Sequence, residues 1–176
     1  MCGNGLRCAA LYLGKESVVI ESLATLHHCE KNKERIAVSM GIPKQLYLDS
    51  GMHIWDTGVP HAIFFVDDVA TVDVFSLGRQ VRYNPLFAPG GVNVTFVQET
   101  PSALYIRTYE RGVEEETLSC GTGATAAAIA AHVHKKCPLP LRIMPPSEEP
   151  FDIEERNGEL MLTGSVHEVF TGEITI

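Results

Sequence analysis

A short motif that combines a thiol with a tight turn, Cys-Gly-x-Gly, occurs twice in the sequence. One copy begins at Cys2, in CGNGLRCAALYL, and the other at Cys120, in CGTGATAAAIAA. The apolar run after each copy predicts that each turn opens a helix. A helix N-terminus presents unpaired N–H groups and partial positive charge, so it can hold a carboxylate and lower the pKa of a thiol. We therefore expect two related halves with one such thiol each.

Two thiols on opposite sides of a carboxylate-binding cleft suit inversion at the α-carbon of an amino acid. A thiolate removes the α-proton from one face while the opposing thiol delivers a proton to the other. The helix N-termini would stabilise the intervening carbanion. The alternative is that Cys2 and Cys120 are small buried residues in tight turns. Duplication of the whole motif favours chemistry over that alternative.

Net charge and cysteine content exclude several classes of protein. The formal net charge is −8, and no basic cluster is longer than Lys135–Lys136, so nucleic-acid binding lacks an electrostatic basis. The most apolar stretch, 123–131, is too short to cross a bilayer. The cysteines are odd in number and form no C-x-x-C pair, which favours free thiols in the cytoplasm: they are Cys2, Cys8, Cys29, Cys120 and Cys137.

The pattern of apolar residues predicts an α+β fold with mostly antiparallel strands around helices. A helix after Cys2 should end at Gly14, and the Ala-rich helix over 119–136 should be central and buried. Asn157-Gly158 between alternating runs predicts a hairpin. Gly41-Ile42-Pro43 is a candidate domain boundary. The other predicted elements are an antiparallel meander over 17–40, strands at 53–58, 61–68, 93–98 and 103–110, a helix at 72–83 and a final strand at 167–176.

Several segments resemble motifs of the diaminopimelate epimerase family, in the order in which that family carries them. They are MCGNGLRC at 1–8, TGVPH at 57–61, VNVTFVQ at 92–98, and ERGVEEETLSCGTGA at 110–124. The resemblance covers almost the whole chain and implies two pseudo-symmetric domains, each of strands around a central helix, with the active site between them. Residues 1–41 would be the remainder of the N-terminal domain, which the strand at 167–176 could rejoin, and 42–166 the C-terminal domain.

The resemblance implies an isomerase that interconverts LL- and meso-diaminopimelate, on the route to lysine and peptidoglycan, without pyridoxal phosphate or metal. It also implies a homodimer. Cys2 and Cys120 would transfer the protons, and His61 and Glu110 would adjust the pKa values of the two thiols. The residues that would bind substrate are Gly3, Asn4, Asn93, Glu110, Arg111, Gly121 and Thr122.

Most of these residues also have a purely structural interpretation. His61 follows a proline and could be a buried histidine that bonds to the backbone. The adjacent charges Glu110 and Arg111 could be the solvated end of a hairpin, and Asn93 could cap a strand. His132 and His134 are separated by one residue and could bind a metal together. Their position at the end of a helix favours the alternative that they interact with the helix dipole.

The chain departs from the family pattern in two ways. Val59 stands where many members carry an asparagine that contacts substrate. Members also have a substantial segment before the first signature, so we expect the 176-residue chain to be inactive by itself and the apolar side of its first helix, at Leu6, Ala9, Ala10 and Leu13, to be partly exposed. The open alternatives are a proline or histidine racemase of the same fold and a non-catalytic remnant. Asn4 with Glu110-Arg111 favours a long substrate with charges at both ends.

Overall fold

The computed structural model describes residues 2–22, 25–49 and 51–174, with the backbone alone at 48–49. These residues form a sheet-dominated α+β fold, which confirms the predicted fold class. The helices are α1 (Gly3–Leu13), α2 (Val74–Arg82) and α3 (Gly121–Ala130). The strands are β1 (Ser17–Ser22), β2 (Thr25–Asn32), β3 (Arg35–Ser39), β4 (Lys44–Asp49), β5 (Met52–Asp56), β6 (Pro60–Phe65), β7 (Asn93–Glu99), β8 (Leu104–Glu110), β9 (Glu115–Thr117), β10 (Leu141–Met144), β11 (Phe151–Arg156) and β12 (Glu159–Ser165).

The strands join into one sheet whose two edge strands are β1 and β4. Its order is β1-β2-β3-β12-β11-β10-β8-β7-β6-β5-β4, and β9 pairs with β8 outside this path. The pairs β6–β7 and β8–β10 are parallel, and the other described pairs are antiparallel. The predicted meander is confirmed as β1-β2-β3. Because β3 pairs with β12, the sheet crosses the predicted boundary at 41–43, and division into two domains stays a prediction.

Helix α1 begins and ends where the sequence indicates. The Cys2 sulfur accepts a hydrogen bond from the Gly5 N–H at 3.4 Å, and Gly14, with φ of 65°, caps the other end. The apolar side of α1 packs on β1, β2 and β3. Leu6 and Ala10 are consequently buried, so the expectation of exposure is wrong for these two residues, whereas Leu13 remains 49% exposed.

Helix α3 lies at the centre of the fold, as predicted. Every residue from Gly121 to Ala130 is buried, and strands from β5 to β8 and from β10 to β12 contact it. Its side chains are mostly methyl groups, which lets the surrounding strands approach the helix closely. A π-type turn, Ala131–Lys135, continues the helix. The sheet therefore curves around a slender, apolar helix whose first residue lies at the candidate site.

Strands β5 to β7 contribute to an apolar core on each face of the sheet because their side chains alternate. Trp55 and Ile63 belong to the core around α3, whereas Ile54 and Ala62 belong to the smaller core beneath α2. Helix α2 contacts β7, β8 and β9. This sandwich of α3, sheet and α2 makes β7 and β8 rigid supports for the polar residues at their ends.

The C-terminal part of the sequence gave one correct and one wrong prediction. The hairpin is confirmed, with Asn157 and Gly158 at φ of 54° and 84°. The strand at 167–176 is wrong for 167–174, which form no strand, while 175–176 lie outside the described residues. Both β3 and β12 already have a neighbour on each side, so no adjacent sheet edge receives this segment. Strands β4 and β10 were missed because Pro43 and Pro140 flank them closely.

Candidate functional site

The N-termini of α1 and α3 meet, and a glycine on each helix makes the contact. A Cβ added to Gly121 would lie 3.7 Å from Gly3 Cα and 3.3 Å from a methyl carbon of Leu162. A Cβ added to Gly3 would lie 3.9 Å from Gly121 Cα, so the two helix N-termini are close to van der Waals contact. Cys2 and Cys120 immediately precede these glycines and are the N-caps of the two helices. The two predicted proton-transfer residues thus flank one junction that holds two sets of unpaired N–H groups.

Asn4, in the first turn of α1, is held by an arginine that sequence reasoning missed. Arg7 Nη2 donates to Asn4 Oδ1 at 3.0 Å, and Arg7 Nε donates to the Ser165 carbonyl at 3.3 Å. The guanidinium lies 5.1 Å from the ring centroid of Phe151, and Arg7 is only 6% exposed. The signal for Arg7 was its place one helical turn after Gly3, on the buried side of α1.

Cys120 is buried, whereas Cys2 is exposed. Burial raises the pKa of Cys120 to about 11, and the nearby Glu110 carboxylate contributes to the increase. Hydrogen bonds from Thr122 and Gly123 lower the pKa and offset part of that increase. The Cys120 sulfur lies 3.4 Å from Thr122 Oγ1. At neutral pH Cys120 is therefore a protonated thiol, which is the form that donates a proton.

His61 is completely buried and contacts side chains instead of the backbone. Its Nε2 lies 2.9 Å from Thr122 Oγ1 and 3.2 Å from Asn93 Nδ2, and its Nδ1 lies 3.1 Å from Thr95 Oγ1. Burial, together with the positive charge of Arg111, lowers the pKa of His61 to about 3. The imidazole is therefore neutral at physiological pH, and its ring nitrogens serve as one donor and one acceptor.

Asn93, Glu110 and Arg111 converge at the ends of β7 and β8. Asn93 Oδ1 accepts from the Arg111 N–H at 2.7 Å, and Glu110 Oε2 accepts from Thr117 Oγ1 at 3.0 Å. Arg111 Nη1 donates to the carbonyls of Gly90 and Gly91 at 3.2 and 3.3 Å. Asn93 is buried and the two charged residues are half-buried, so neither is a freely solvated hairpin end.

Arg111 also lines an apolar cavity of about 370 Å³. Two other lining residues, Ile54 and Val92, belong to the core beneath α2, so this cavity lies on the face of the sheet opposite the His61 and Asn93 side chains. Val59 is half-buried in the turn before β6, where its carbonyl accepts from the Thr57 N–H at 3.3 Å. The structure thus has an apolar side chain at the position where the family resemblance implies an asparagine.

A second layer of threonines lies behind His61, and sequence reasoning missed it. Thr95 and Thr108 are paired across β7 and β8, with their hydroxyl oxygens 3.1 Å apart. A Cβ on Gly123 would lie 3.1 Å from His61 Cε1 and from both hydroxyl oxygens, so this glycine leaves room for the cluster. The available signal was polar residues at every second position of apolar strands, in Asn93 with Thr95 and Thr108 with Glu110.

The described residues contain no group of three or more His, Cys, Asp or Glu side chains that could hold a metal ion. His132 Nδ1 lies 2.8 Å from the Cys137 carbonyl oxygen, and His134 stacks on His53 with ring centroids 4.3 Å apart. These two histidines therefore have separate partners. No described helix is long and apolar enough to span a membrane.

Solved structures with a similar fold include a phenazine biosynthesis protein and a predicted epimerase. A PhzF-family phenazine biosynthesis protein from Enterococcus faecalis superposes with a TM-score of 0.67 at 16% identity, over 94% of this chain and 69% of that protein. A predicted epimerase from Pseudomonas aeruginosa gives 0.64 at 14% identity, over 91% and 69%. At such low identity these matches establish the fold alone.

Sequence comparison gives closer relatives. The family model for diaminopimelate epimerase matches residues 54–174. The diaminopimelate epimerase of Aquifex aeolicus is 40% identical, over 99% of this chain and 70% of that protein, and that of Methanocella arvoryzae is 40% identical over 74% and 56%. The chain thus spans 56% of one relative and 70% of the other. On the strength of these matches, together with the fold and the paired helix N-termini, the chain belongs to the diaminopimelate epimerase family.

Proposed function

We propose that this chain carries the proton-exchange site of an epimerase that interconverts LL- and meso-diaminopimelate, for lysine and peptidoglycan precursor synthesis. The observation that carries the proposal is the junction of two helix N-termini, each capped by a cysteine. The substrate α-carboxylate binds at this junction, where the N–H groups of both helices supply hydrogen bonds and positive potential. Gly3, Asn4, Gly121 and Thr122 surround it.

The proton exchange uses the two cysteines in opposite forms. Cys2, as a thiolate, takes the proton from the α-carbon, and the electron pair of the broken C–H bond remains on the carbanion beside the carboxylate. Cys120, as a thiol, gives its proton to the other face of the carbon and becomes the thiolate. The product has inverted configuration, and the reverse reaction starts from this second protonation state. The high pKa of Cys120 supports its role as donor in the first direction.

The distal end of the substrate meets Glu110, Arg111 and Asn93. A second amino and carboxylate group would satisfy Glu110 and Arg111 with opposite charges, whereas proline would leave both without a ligand partner. With Val59 in place of an asparagine, the turn before β6 contributes a van der Waals contact instead of a hydrogen bond.

Hydrogen exchange at the substrate α-carbon tests the proposal. Two proteins are incubated in D₂O with LL-diaminopimelate: the 176-residue chain and an extended chain, which carries in addition the segment that family members have before the first signature. Deuterium at Cα is followed by NMR while the isomers are separated by chromatography. We expect deuterium in the meso product of the extended chain, none with the 176-residue chain by itself, and no exchange with proline or histidine. Cys8→Ala, at an exposed thiol on the same helix, is the matched control and should exchange like the parent. Exchange with proline or histidine in place of diaminopimelate would contradict the substrate assignment.

The family resemblance further supports a cytoplasmic homodimer. Light scattering of the purified protein gives its mass directly. A mass of twice 19.3 kDa is the expected result, and a monomer that still exchanges the α-proton would contradict the dimer alone.

A further inference from the structure

A line of buried hydrogen bonds runs from the Cys120 thiol through a hydroxyl to His61 and beyond. The successive distances are 3.4 Å from the Cys120 sulfur to Thr122 Oγ1 and 2.9 Å from that oxygen to His61 Nε2. From His61 Nδ1 the line continues to Thr95 and Thr108, each step 3.1 Å long. None of the side chains in this line is more than 6% exposed. Each hydrogen-bond donor in it must therefore find its acceptor within the protein.

The direction of these bonds is fixed at Asn93. Its Oδ1 accepts from the Arg111 N–H at 2.7 Å, so its amide nitrogen faces His61 Nε2 and donates to it. Nε2 is therefore an acceptor, and the single proton of the neutral ring resides on Nδ1 and is donated to Thr95. The Thr122 hydroxyl lies 2.9 Å from Nε2 and is then a second donor, which shares the single lone pair of that nitrogen with Asn93. Its oxygen lone pairs are left to accept the S–H of Cys120.

Loss of the Cys120 proton reverses one of these bonds. A thiolate has no hydrogen to donate, so it needs a donor in place of its former acceptor. The Thr122 hydroxyl can rotate its hydrogen from His61 to the sulfur. Asn93 Nδ2 remains 3.2 Å from His61 Nε2, so the ring keeps a donor after the rotation. Every group in the line is thus paired in both protonation states of Cys120.

We propose that Thr122 is a positioning residue whose hydroxyl proton moves between His61 and Cys120 as the thiol becomes a thiolate and returns. This inference rests on the proposed function only for the reaction cycle in which Cys120 loses its proton to the substrate carbanion. The rotation of the Thr122 hydroxyl makes or breaks no covalent bond. The negative charge of Glu110 disfavours the Cys120 thiolate, so the thiolate needs a hydrogen-bond donor. Thr57 Oγ1 donates to the Thr122 carbonyl at 2.9 Å and holds the residue in place.

The experiment measures ionisation of Cys120 without any substrate. Variants Thr122→Val and Thr122→Ser are treated with methyl methanethiosulfonate between about pH 7.5 and 9.5, and modification of each cysteine is followed by peptide mass spectrometry. Thr125→Val is the matched control, because this hydroxyl on the same buried helix donates to the Gly121 carbonyl at 2.9 Å. Cys8, which is exposed, is the internal reference for reagent activity.

Loss of one hydrogen bond to a charged sulfur raises its pKa by about one unit, so about tenfold less thiolate is present at a given pH. Part of this loss is offset because a more basic thiolate is more nucleophilic, which leaves a net slowing of about three- to fourfold. We expect that slowing at Cys120 in Thr122→Val alone. Thr122→Ser and Thr125→Val should react at the rate of the parent chain.

Equal rates in Thr122→Val and the parent chain would overturn the proposal. Equal slowing in Thr122→Ser and Thr122→Val would also overturn it, because packing instead of the hydroxyl would then be responsible. If Thr122→Val does not fold, Thr122→Ala removes the same hydroxyl and gives the same readout. If the expected Cys120 rates are found but the extended chain exchanges no diaminopimelate, the proposed function is refuted and this inference stands.

Discussion

At the scale of single residues, the two thiols of the site differ although their motifs are alike. Cys2 is exposed at the start of α1, whereas Cys120 is buried at the start of α3 beside Glu110. The same local turn therefore gives two chemical environments, because α3 is central in the sheet and α1 lies near its edge. A two-base inversion needs one group in each protonation state at the start of a turnover.

Removal of either thiol should abolish turnover while binding persists. We expect Cys2→Ala and Cys120→Ala each to lower kcat by about 10²–10⁴-fold, since a positioned acid or base contributes that factor. KM should change little, because the carboxylate is held by helix N–H groups. Steady-state kinetics of the extended chain on diaminopimelate, with Cys8→Ala as control, measures both constants. Single variants that keep a rate close to that of the parent would rule out the two-thiol mechanism.

Because His61 is neutral in the folded chain, the free energy of unfolding should depend on pH below about 6.5. Its folded pKa of about 3 lies below the ordinary value of 6.5, so the unfolded chain binds a proton that the folded chain does not. Stability should therefore be full above pH 6.5 and fall by about 1.4 kcal/mol per pH unit below it. Between pH 7 and pH 5 the contribution of His61 is about 2 kcal/mol.

Urea unfolding at several pH values measures this contribution as the difference between the parent chain and His61→Gln. His28→Gln is the matched control, because His28 is an exposed histidine on β2. The acid sensitivity should be smaller in His61→Gln and unchanged in His28→Gln. The same pH dependence in all three proteins would mean that the His61 ring takes up its proton while the fold is intact.

At the scale of elements, α2 is held against the sheet by a very close contact at Gly78. A Cβ at this position would lie 2.4 Å from Cβ of Tyr109 on β8, and Tyr109 itself is 1% exposed. Neither side of this contact can move easily, since Tyr109 is fixed by β7 and β9. The close approach brings α2 onto the strand whose end carries Glu110.

Gly78→Ala should therefore destabilise the chain, although alanine favours a helix. The steric cost of overpacking is about 1–3 kcal/mol, and the gain in helix propensity of about 1 kcal/mol offsets part of it. Chemical denaturation followed by circular dichroism gives the net value. The control Gln80→Ala changes an exposed residue of α2 and should be neutral or slightly stabilising. A Gly78→Ala chain as stable as that control would show that α2 can shift without cost.

At the scale of the whole molecule, one apolar core connects both ends of the sheet. The core includes Leu6 on α1, Val38 on β3, Leu162 on β12 and Trp55 on β5. Leu162 also lies beneath the helix junction, since one of its methyl carbons would be 3.3 Å from a Cβ on Gly121. Packing of the core and geometry of the site are thus coupled.

This shared core predicts a single cooperative unfolding transition. Trp55 is the only tryptophan in the sequence and reports on the region after residue 42, whereas far-UV circular dichroism reports on all helices and strands. The two signals should give the same urea midpoint within error. Two separate midpoints would instead support the domain division at 41–43 as two independently stable units.

The sequence by itself determined the local features of this protein. The duplicated Cys-Gly-x-Gly turns, the cap at Gly14, the Asn157-Gly158 hairpin and the Ala-rich helix depend on neighbours in the chain, so their residue types predicted them. Strand β4 was not predicted because it directly follows Pro43. The strand predicted at 167–176 is wrong for residues 167–174, because propensity cannot show whether a sheet edge is free.

Only the tertiary structure decided how the site is assembled. Thr95, Thr108 and Thr122 become a buried cluster around His61 because strand register and the position of α3 bring them together. The Arg7 side chain is buried because Phe151 of β11 and the Ser165 carbonyl of β12 contact its guanidinium. The difference between Cys2 and Cys120 arises in the same way, from burial against distant parts of the chain. Hydrogen bonding and desolvation depend on these long-range contacts, which motif spacing does not encode.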